Sequence, residues 1–128
     1  MSFAKFVESQ LPDLRRYAFA VLNDAAQADY CVELVLIDLL EERSLAGAAS
    51  QPMRRLDLFA RLQSYLQKSS AAKEPSLSRQ LFLLLEMEQF SIDKVSLILG
   101  EPLEDMWRLV NSKEYAIARA TYAKRGFG

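Results

Sequence analysis

The fold is decided by the segment Leu11–Leu40, whose sequence is LPDLRRYAFAVLNDAAQADYCVELVLIDLL. Its first half continues an apolar pattern that begins at Phe3 and ends at Leu22. The apolar residues of this pattern recur at steps of three and four, which is the period of an amphipathic helix. The pattern therefore predicts a first helix over 3–22, which Pro12 is expected to kink or restart because proline lacks the backbone N–H of a helix interior.

The second half of the segment predicts a central helix. Asn23 can end the first helix, and Asp24 can cap the start of the next. From Ala25 to Glu42 the sequence is apolar around much of the helical circumference. Such a helix needs neighbours on several sides.

A third helix and a linker complete the first half of the chain. The third helix is expected from Met53 to Lys68, with Pro52 in its first turn. The Ser, Ala, Lys and Pro residues that follow predict a linker at 70–75. The expected organisation is therefore a helical unit at 1–69 and a second at 76–128, in an all-α fold.

The second unit has the layout of a helix-turn-helix. A strongly apolar core helix is predicted over 77–87, followed by a short helix that Ser91 can cap through the amide of Asp93 or Lys94. Gly100 can supply the left-handed stop of this short helix, and a longer helix is expected from near Pro102 to 124. Helical hairpins share this layout with DNA readers, so both interpretations stay open at this point.

Composition excludes several function classes. The 128 residues include no histidine and carry a formal net charge of −1. Histidine triads and most zinc sites are thereby excluded, and nucleic-acid binding would need a local basic patch. The one cysteine, Cys31, is expected to be a core thiol. We expect no cofactor and no enzymatic activity, because no phosphate-binding loop, metal-ligand spacing or convergent base accompanies the carboxylates.

The sequence shows neither the apolar run of a signal peptide at its N-terminus nor a stretch of the length needed to cross a membrane. The expected location is the cytoplasm, with no membrane partner.

Two segments resemble parts of extracytoplasmic-function sigma factors. The segment 11–40 resembles their second domain, which binds core RNA polymerase and the promoter minus-ten element. The segment 78–110, SRQLFLLLEMEQFSIDKVSLILGEPLEDMWRLV, resembles their fourth domain, a helix-turn-helix that reads the minus-thirty-five element. Both occur in the family's order around the linker.

Within this group the chain is most similar to the sigma-like domain of PhyR-type response regulators. The similarity is carried by Leu11-Pro12, LRRYA at 14–18, RLDLF at 55–59, and Arg79-Gln80. PhyR-type proteins belong to the two-component control of the alphaproteobacterial general stress response. The resemblance implies a sigma-factor mimic that captures the small anti-sigma factor NepR and so releases the true sigma factor.

Three features of the residues favour the mimic over a working sigma factor. The helix expected to enter the major groove begins with Glu101, Glu104 and Asp105. These carboxylates would repel phosphates. The third helix ends with only Tyr65 and Lys68 where a promoter-melting sigma factor has a basic and aromatic run. The second helix has Val32 and Ile37 where a polymerase-binding sigma factor usually has Gln and Arg.

The mimic is expected to bind a helix of its partner in an apolar groove between the two units. Large apolar residues dominate interfaces, although residues at helical spacing more often build the core. On this basis the expected partner contacts are, in the first unit, Leu14, Tyr17, Leu36, Leu40 and Phe59, and, in the second unit, Phe82, Leu85, Phe90 and Trp107.

Alternatives remain open. The chain could be a promoter-specific sigma factor that binds core RNA polymerase and DNA, which are the less favoured partners, or a helical adaptor without any sigma connection. PhyR-type proteins also carry a phosphorylatable receiver domain, a further possible partner. The 128 residues contain no strand and helix alternation that could form one, so both an excised domain and a free-standing mimic are compatible with the sequence.

Overall fold

The computed structural model describes residues 2–46, 53–69 and 76–124. These ranges form seven α-helices and one π-helical turn and contain no strand, which confirms the predicted all-α class. The chain divides into two compact units, Met1–Lys73 and Glu74–Gly128. The predicted linker, 70–75, lies outside the described residues, so its bounds stay a prediction.

The first unit contains α1 (Phe3–Leu22), α2 (Ala25–Ala46) and α3 (Arg55–Lys68). Each of these helices packs against the other two. The core is built from the residues that the helical period places on the inner faces, and its most buried large side chains are Leu14, Tyr17, Val32, Val35, Leu58, Phe59, Leu62 and Leu66. Such burial, at about 1.5–3 kcal/mol for a large apolar side chain, stabilises the three-helix arrangement.

The boundary between α1 and α2 is built by two polar residues. Asn23 adopts the left-handed conformation, with φ 53°, and its N–H donates to the carbonyl of Phe19. Oδ1 of Asp24 accepts from the N–H of Gln27 at 3.0 Å and so caps α2. The predicted stop and cap are thus confirmed, and α1 runs through Pro12 as one helix instead of restarting there.

The start of α3 differs from the prediction by two residues. The helix begins at Arg55 instead of Met53, because Arg54 has extended backbone angles and serves as the N-cap residue. Oδ2 of Asp57 accepts from the N–H of Arg54 at 2.9 Å, which fixes the start there. Pro52, expected in the first turn, lies outside the described residues.

The second unit contains α4 (Leu77–Phe82), a π-helical turn (Leu83–Met87), α5 (Ile92–Leu99), α6 (Leu103–Val110) and α7 (Lys113–Lys124). The predicted core helix over 77–87 is therefore α-helical only in its first half. Its core includes Leu81, Leu84, Val95, Met106, Tyr115 and Tyr122. Contacts join α4 to α6 and α7, and α5 to α6.

Two other details of the second unit correct the sequence analysis. The long helix expected from Pro102 to 124 is divided into α6 and α7 at Asn111-Ser112, where Oγ of Ser112 accepts from the N–H of Tyr115 at 3.2 Å and caps α7. Ser91 is the N-cap residue of α5, but its side chain makes no capping hydrogen bond to the backbone. It bonds instead to the carboxylate of Asp93, which is the main cause that lowers the pKa of that group.

None of the helices described is both long enough and apolar enough to cross a membrane.

Candidate protein-binding surfaces

Helices α5 and α6 form the helix-turn-helix that the sequence predicts. The turn between them contains Gly100, whose φ of 68° is the left-handed conformation that glycine adopts without strain. The N–H of Glu101 donates to the carbonyl of Ser96, and Oγ of Ser96 donates back to the carbonyl of Glu101 at 2.5 Å. These bonds fix the turn and place α6 in the position of a recognition helix.

The exposed side of α6 is apolar and acidic, and we call it the α6 face: Leu103, Glu104, Asp105, Trp107 and Arg108. Its single cation is paired, because Nη1 of Arg108 lies 3.2 Å from Oδ1 of Asp105. Trp107 is 54% exposed although it is a large aromatic residue. A helix that reads DNA needs cations directed at phosphates and base edges, whereas this surface offers an aromatic anchor among carboxylates.

A second exposed surface lies on α2, and we call it the α2 face: Tyr30, Ile37 and Leu40 with the carboxylates Asp29, Glu33 and Glu41. Tyr30 and Ile37 are seven residues apart, and Leu40 follows Ile37 by three, so the helical period places them on one side. They are 54%, 42% and 69% exposed. This side points away from both α1 and α3, against which the buried side of α2 packs.

The structure buries five of the nine side chains expected to contact a partner. The buried five are Leu14, Tyr17, Phe59, Phe82 and Phe90. The rings of Tyr17 and Phe59 pack at 5.6 Å between centroids. Phe82 packs likewise against Tyr115 and Tyr122, at 6.0 and 5.3 Å. In this conformation the five side chains build the cores of the two units, so a partner could reach them only if the cores opened.

The other four expected residues are accessible to different degrees. Leu40 and Trp107 are exposed, on the α2 and α6 faces, while Leu36 and Leu85 are half-buried. Contact of these residues with a partner stays a prediction, as does the expected groove.

Sequence reasoning missed several exposed apolar residues. Beyond Leu40 and Trp107, and beyond Ile37, which the comparison with sigma factors already placed on the surface, these are Phe19, Tyr30, Leu97, Leu103 and Ile117. The spacing of Tyr30, Ile37 and Leu40 along one helix could have identified the α2 face. However, a helix that is apolar around much of its circumference is expected to be buried on all sides, so an exposed side of α2 was not predicted.

Two residues of α2 differ in polarity from those of polymerase-binding sigma factors, but only one of the two lies on the surface. Val32 is buried, so it contributes nothing to the surface, whereas Ile37 is exposed and does make the α2 face less polar. The identity of residue 32 therefore says nothing about whether the chain binds polymerase.

Tyr65, one of the two residues considered for single-stranded DNA, is bound to α2. Its hydroxyl donates to the carboxylate of Asp38, and this hydrogen bond is the main cause that raises the pKa of Tyr65. One turn before it, Nη2 of Arg61 lies 2.6 Å from a carboxylate oxygen of Glu42. Both side chains thus connect α3 to α2, and their polar atoms are directed at carboxylates of the same unit.

The π-helical turn of the second unit is connected to α7 by a cluster of three residues. The hydroxyl of Tyr115 donates to the carboxylate of Glu86, and Nη2 of Arg119 lies 2.8 Å from the same oxygen. Burial, followed by the hydrogen bond to Glu86, raises the pKa of Tyr115 to about 12. The cluster stabilises the packing of α7. It has no metal-binding set of three His, Cys, Asp or Glu side chains, and neither has any other part of the described chain.

These features define the class of the protein as an all-α protein whose second unit contains a helix-turn-helix. Residues 7–63 match the family model described as the Sigma2 domain of PhyR, and this match confirms the predicted resemblance to a PhyR-type sigma-like domain. No curated protein and no solved structure matches the chain. The match lies within the first unit and supports a sigma-like regulator. Domains of this type contact other proteins or DNA and polymerase in general and are typically non-enzymatic.

Proposed function

We propose that the protein is a sigma-factor mimic that binds a NepR-like anti-sigma factor and thereby releases a stress sigma factor. The observation that carries this proposal is the α6 face, which combines an exposed tryptophan with carboxylates in the position where a DNA reader has cations. Tryptophan is the residue type that most often dominates protein interfaces.

Charge gives the second argument. α6 carries Glu104 and Asp105 against Arg108, and Arg108 is paired with Asp105. Neutralised phosphates supply most of the affinity of DNA-binding proteins, and this helix can neutralise few or none. Protein binding therefore fits the surface better than promoter recognition does.

The family supplies the partner. PhyR-type sigma-like domains resemble sigma factors in order to capture NepR, and the match at 7–63 brings this chain close to them. A promoter-specific sigma factor is the alternative that the same Sigma2 match favours, and the two functions predict different partners.

A competition experiment tests the proposal. A purified complex of a NepR-like protein with its sigma factor is mixed with the chain, and the free sigma factor is quantified by size-exclusion chromatography. In parallel, binding of the chain to core polymerase and to a minus-thirty-five duplex is measured by fluorescence anisotropy. Release of the sigma factor without polymerase or duplex binding is the expected result, whereas polymerase and duplex binding without release would establish the working sigma factor.

Two variants localise the binding. Trp107→Ala is expected to weaken the anti-sigma complex at least about tenfold, the loss that a truncated interface anchor typically causes. Ile117→Ala is the matched control, because Ile117 is 56% exposed and lies on α7 instead of α6. Equal affinities of the two variants would show that the α6 face makes no contribution.

A further inference from the structure

The outer side of α1 combines an exposed aromatic ring with two arginines, and we call it the α1 face: Pro12, Arg15, Arg16 and Phe19. The two arginines follow Pro12 by three and four residues and precede Phe19 by four and three, so the helical period places all four on one side. All four are exposed, and Phe19 is 49% exposed. No other helix of the first unit covers this side of α1.

The cations near this face exceed the carboxylates available to them. Apart from Glu8, Asp13 is the only carboxylate of α1, and two guanidiniums share it. Its Oδ1 lies 2.9 Å from Nη2 of Arg16, and its Oδ2 lies 3.2 Å from Nη2 of Arg55. Within the part of the chain that the structure describes, Arg15 forms no ion pair. Three guanidiniums thus stand against one carboxylate, and Glu8 lies about 10 Å further along the axis from Arg15.

The arrangement of the α1 face matches a short acidic segment with an apolar residue at its centre. Arg15 and Arg16 are 100° apart around the helix axis, and Phe19, one turn later, lies between their two directions. An apolar side chain packed on the ring of Phe19 would therefore have a guanidinium on each side of it. Guanidiniums bind carboxylates through two parallel hydrogen bonds, so carboxylates on both sides of the apolar residue would complete the contact.

We propose that the α1 face binds an acidic segment of another protein, in which carboxylates flank an apolar residue. Charge complementarity selects this occupant. A nucleic acid gains affinity with each phosphate that is neutralised, and the neighbouring helix α2 would repel a long strand, because it carries five carboxylates and one guanidinium between Ala25 and Arg43. A short acidic segment meets only the α1 face. This site goes beyond anti-sigma capture and does not depend on it.

A defined peptide probes the α1 face. The probe is a 12-residue peptide with a central leucine, three glutamates on each side of it and glycine and serine elsewhere, and the control peptide has lysine in place of every glutamate. Each peptide is titrated into the 15N-labelled full chain, and amide chemical shifts are followed by NMR. The expected result is a set of shifts centred on residues 12–23 with the glutamate peptide only, and binding that weakens as the ionic strength rises.

Variants separate the α1 face from the rest of the surface. Phe19→Ala is expected to weaken binding of the glutamate peptide at least about fivefold, because the aromatic anchor is lost. Tyr30→Ala is its matched control, since Tyr30 is 54% exposed and lies on the side of α2 that points away from α1. Arg15→Glu should weaken binding about fivefold or more, because it replaces an attraction with a repulsion. Lys94→Glu, the same charge reversal at an exposed position of α5, should leave binding unchanged. Unaltered helicity by circular dichroism verifies that each variant is folded.

Other results would overturn the proposal. Equal binding of the two peptides, shifts centred outside α1, or equal effects of Phe19→Ala and Tyr30→Ala would show that the α1 face does not select an acidic segment. A single-stranded oligothymidine is titrated in parallel, and tighter binding of this strand at the same residues would assign the face to nucleic acid. Self-association in sedimentation that Arg15→Glu abolishes would identify a second copy of the chain as the occupant.

Discussion

The hydroxyl of Tyr17 donates a 2.7 Å hydrogen bond to Oε1 of Gln63, and both side chains are buried. The bond joins α1 to α3 within the core of the first unit. Buried polar groups need such partners, because an unpaired group loses its hydration without compensation. Tyr17 therefore has a structural role in the free chain, although its size made it a predicted partner contact.

Tyr17→Phe removes the donor from this buried acceptor. We expect the free energy of unfolding of the first unit to fall by about 1–2 kcal/mol, because a hydrogen bond between buried groups is lost. Because the chain has two units, unfolding in urea is followed through the NMR signals of α1 amides instead of a global signal.

Tyr30→Phe is the control for this change, since it removes the same hydroxyl from an exposed tyrosine. It should leave the free energy of unfolding within about 0.5 kcal/mol of the original value. Equal stability of the two variants would contradict the role given to the Tyr17 hydroxyl.

Phe59→Ala is expected to damage the fold before it affects any partner. Its ring is fully buried, packs against Tyr17 and lies 4.8 Å beneath the guanidinium of Arg55. A buried phenylalanine truncated to alanine costs about 3–5 kcal/mol, which is a large part of the stability of a small domain. Thermal unfolding by circular dichroism checks this. Leu40→Ala, on the exposed side of α2, should leave the midpoint within a few degrees.

This pair of residues shows what the sequence can and cannot predict about the site. The helical period identifies Phe59 and Leu40 equally well as apolar residues of amphipathic helices, and both were expected to contact a partner. Whether such a residue points into the core or out of it depends on the number of neighbouring helices and on how they pack. That is tertiary information, and in α2 the apolar residues exceed what α1 and α3 can cover.

The helix boundaries divide in the same way. The α1 end at Asn23 and the α5 end at Gly100 were predictable, because both depend on local backbone preferences. The break between α6 and α7 was not, since Asn111 and Ser112 are also compatible with a helix interior. There the burial of Tyr115 and Tyr122 against the rest of the unit determines the direction of α7.

The Tyr115 hydroxyl is expected to make the stability of the second unit depend on pH at the alkaline end. Its pKa is about 12 in the folded protein and about 10 in an unfolded chain. Because the folded pKa is the higher one, the stabilisation is fully present below about pH 10 and is lost as the pH rises toward 12. Urea unfolding followed by the fluorescence of Trp107, the one tryptophan of the chain, measures this loss.

Tyr115→Phe isolates this contribution from the other groups that titrate at high pH. The variant should lose less stability than the original protein between pH 10 and 12. In a Glu86→Gln background this difference should become smaller but persist, because burial is the larger cause of the raised pKa of Tyr115 and the carboxylate of Glu86 the lesser one. Identical pH profiles of the original protein and Tyr115→Phe would show that this tyrosine titrates normally.

Met106 and Trp107 are neighbours in sequence with opposite expected roles. Met106 is fully buried and Trp107 is exposed, because adjacent residues of a helix are 100° apart around its axis. Met106→Ala should lower the free energy of unfolding of the second unit by about 2–5 kcal/mol, the usual cost of a core cavity. Trp107→Ala should change this free energy by less than about 1 kcal/mol. Urea unfolding followed through the NMR signals of α7 amides measures both variants, because this probe does not depend on the tryptophan. The effects on partner affinity should be the reverse. Trp107→Ala should weaken partner binding directly, whereas Met106→Ala should reduce it only by lowering the fraction of protein that is folded. A large loss of stability in Trp107→Ala would instead mean that the ring holds the helix-turn-helix together, and the α6 face would lose its main argument for protein binding.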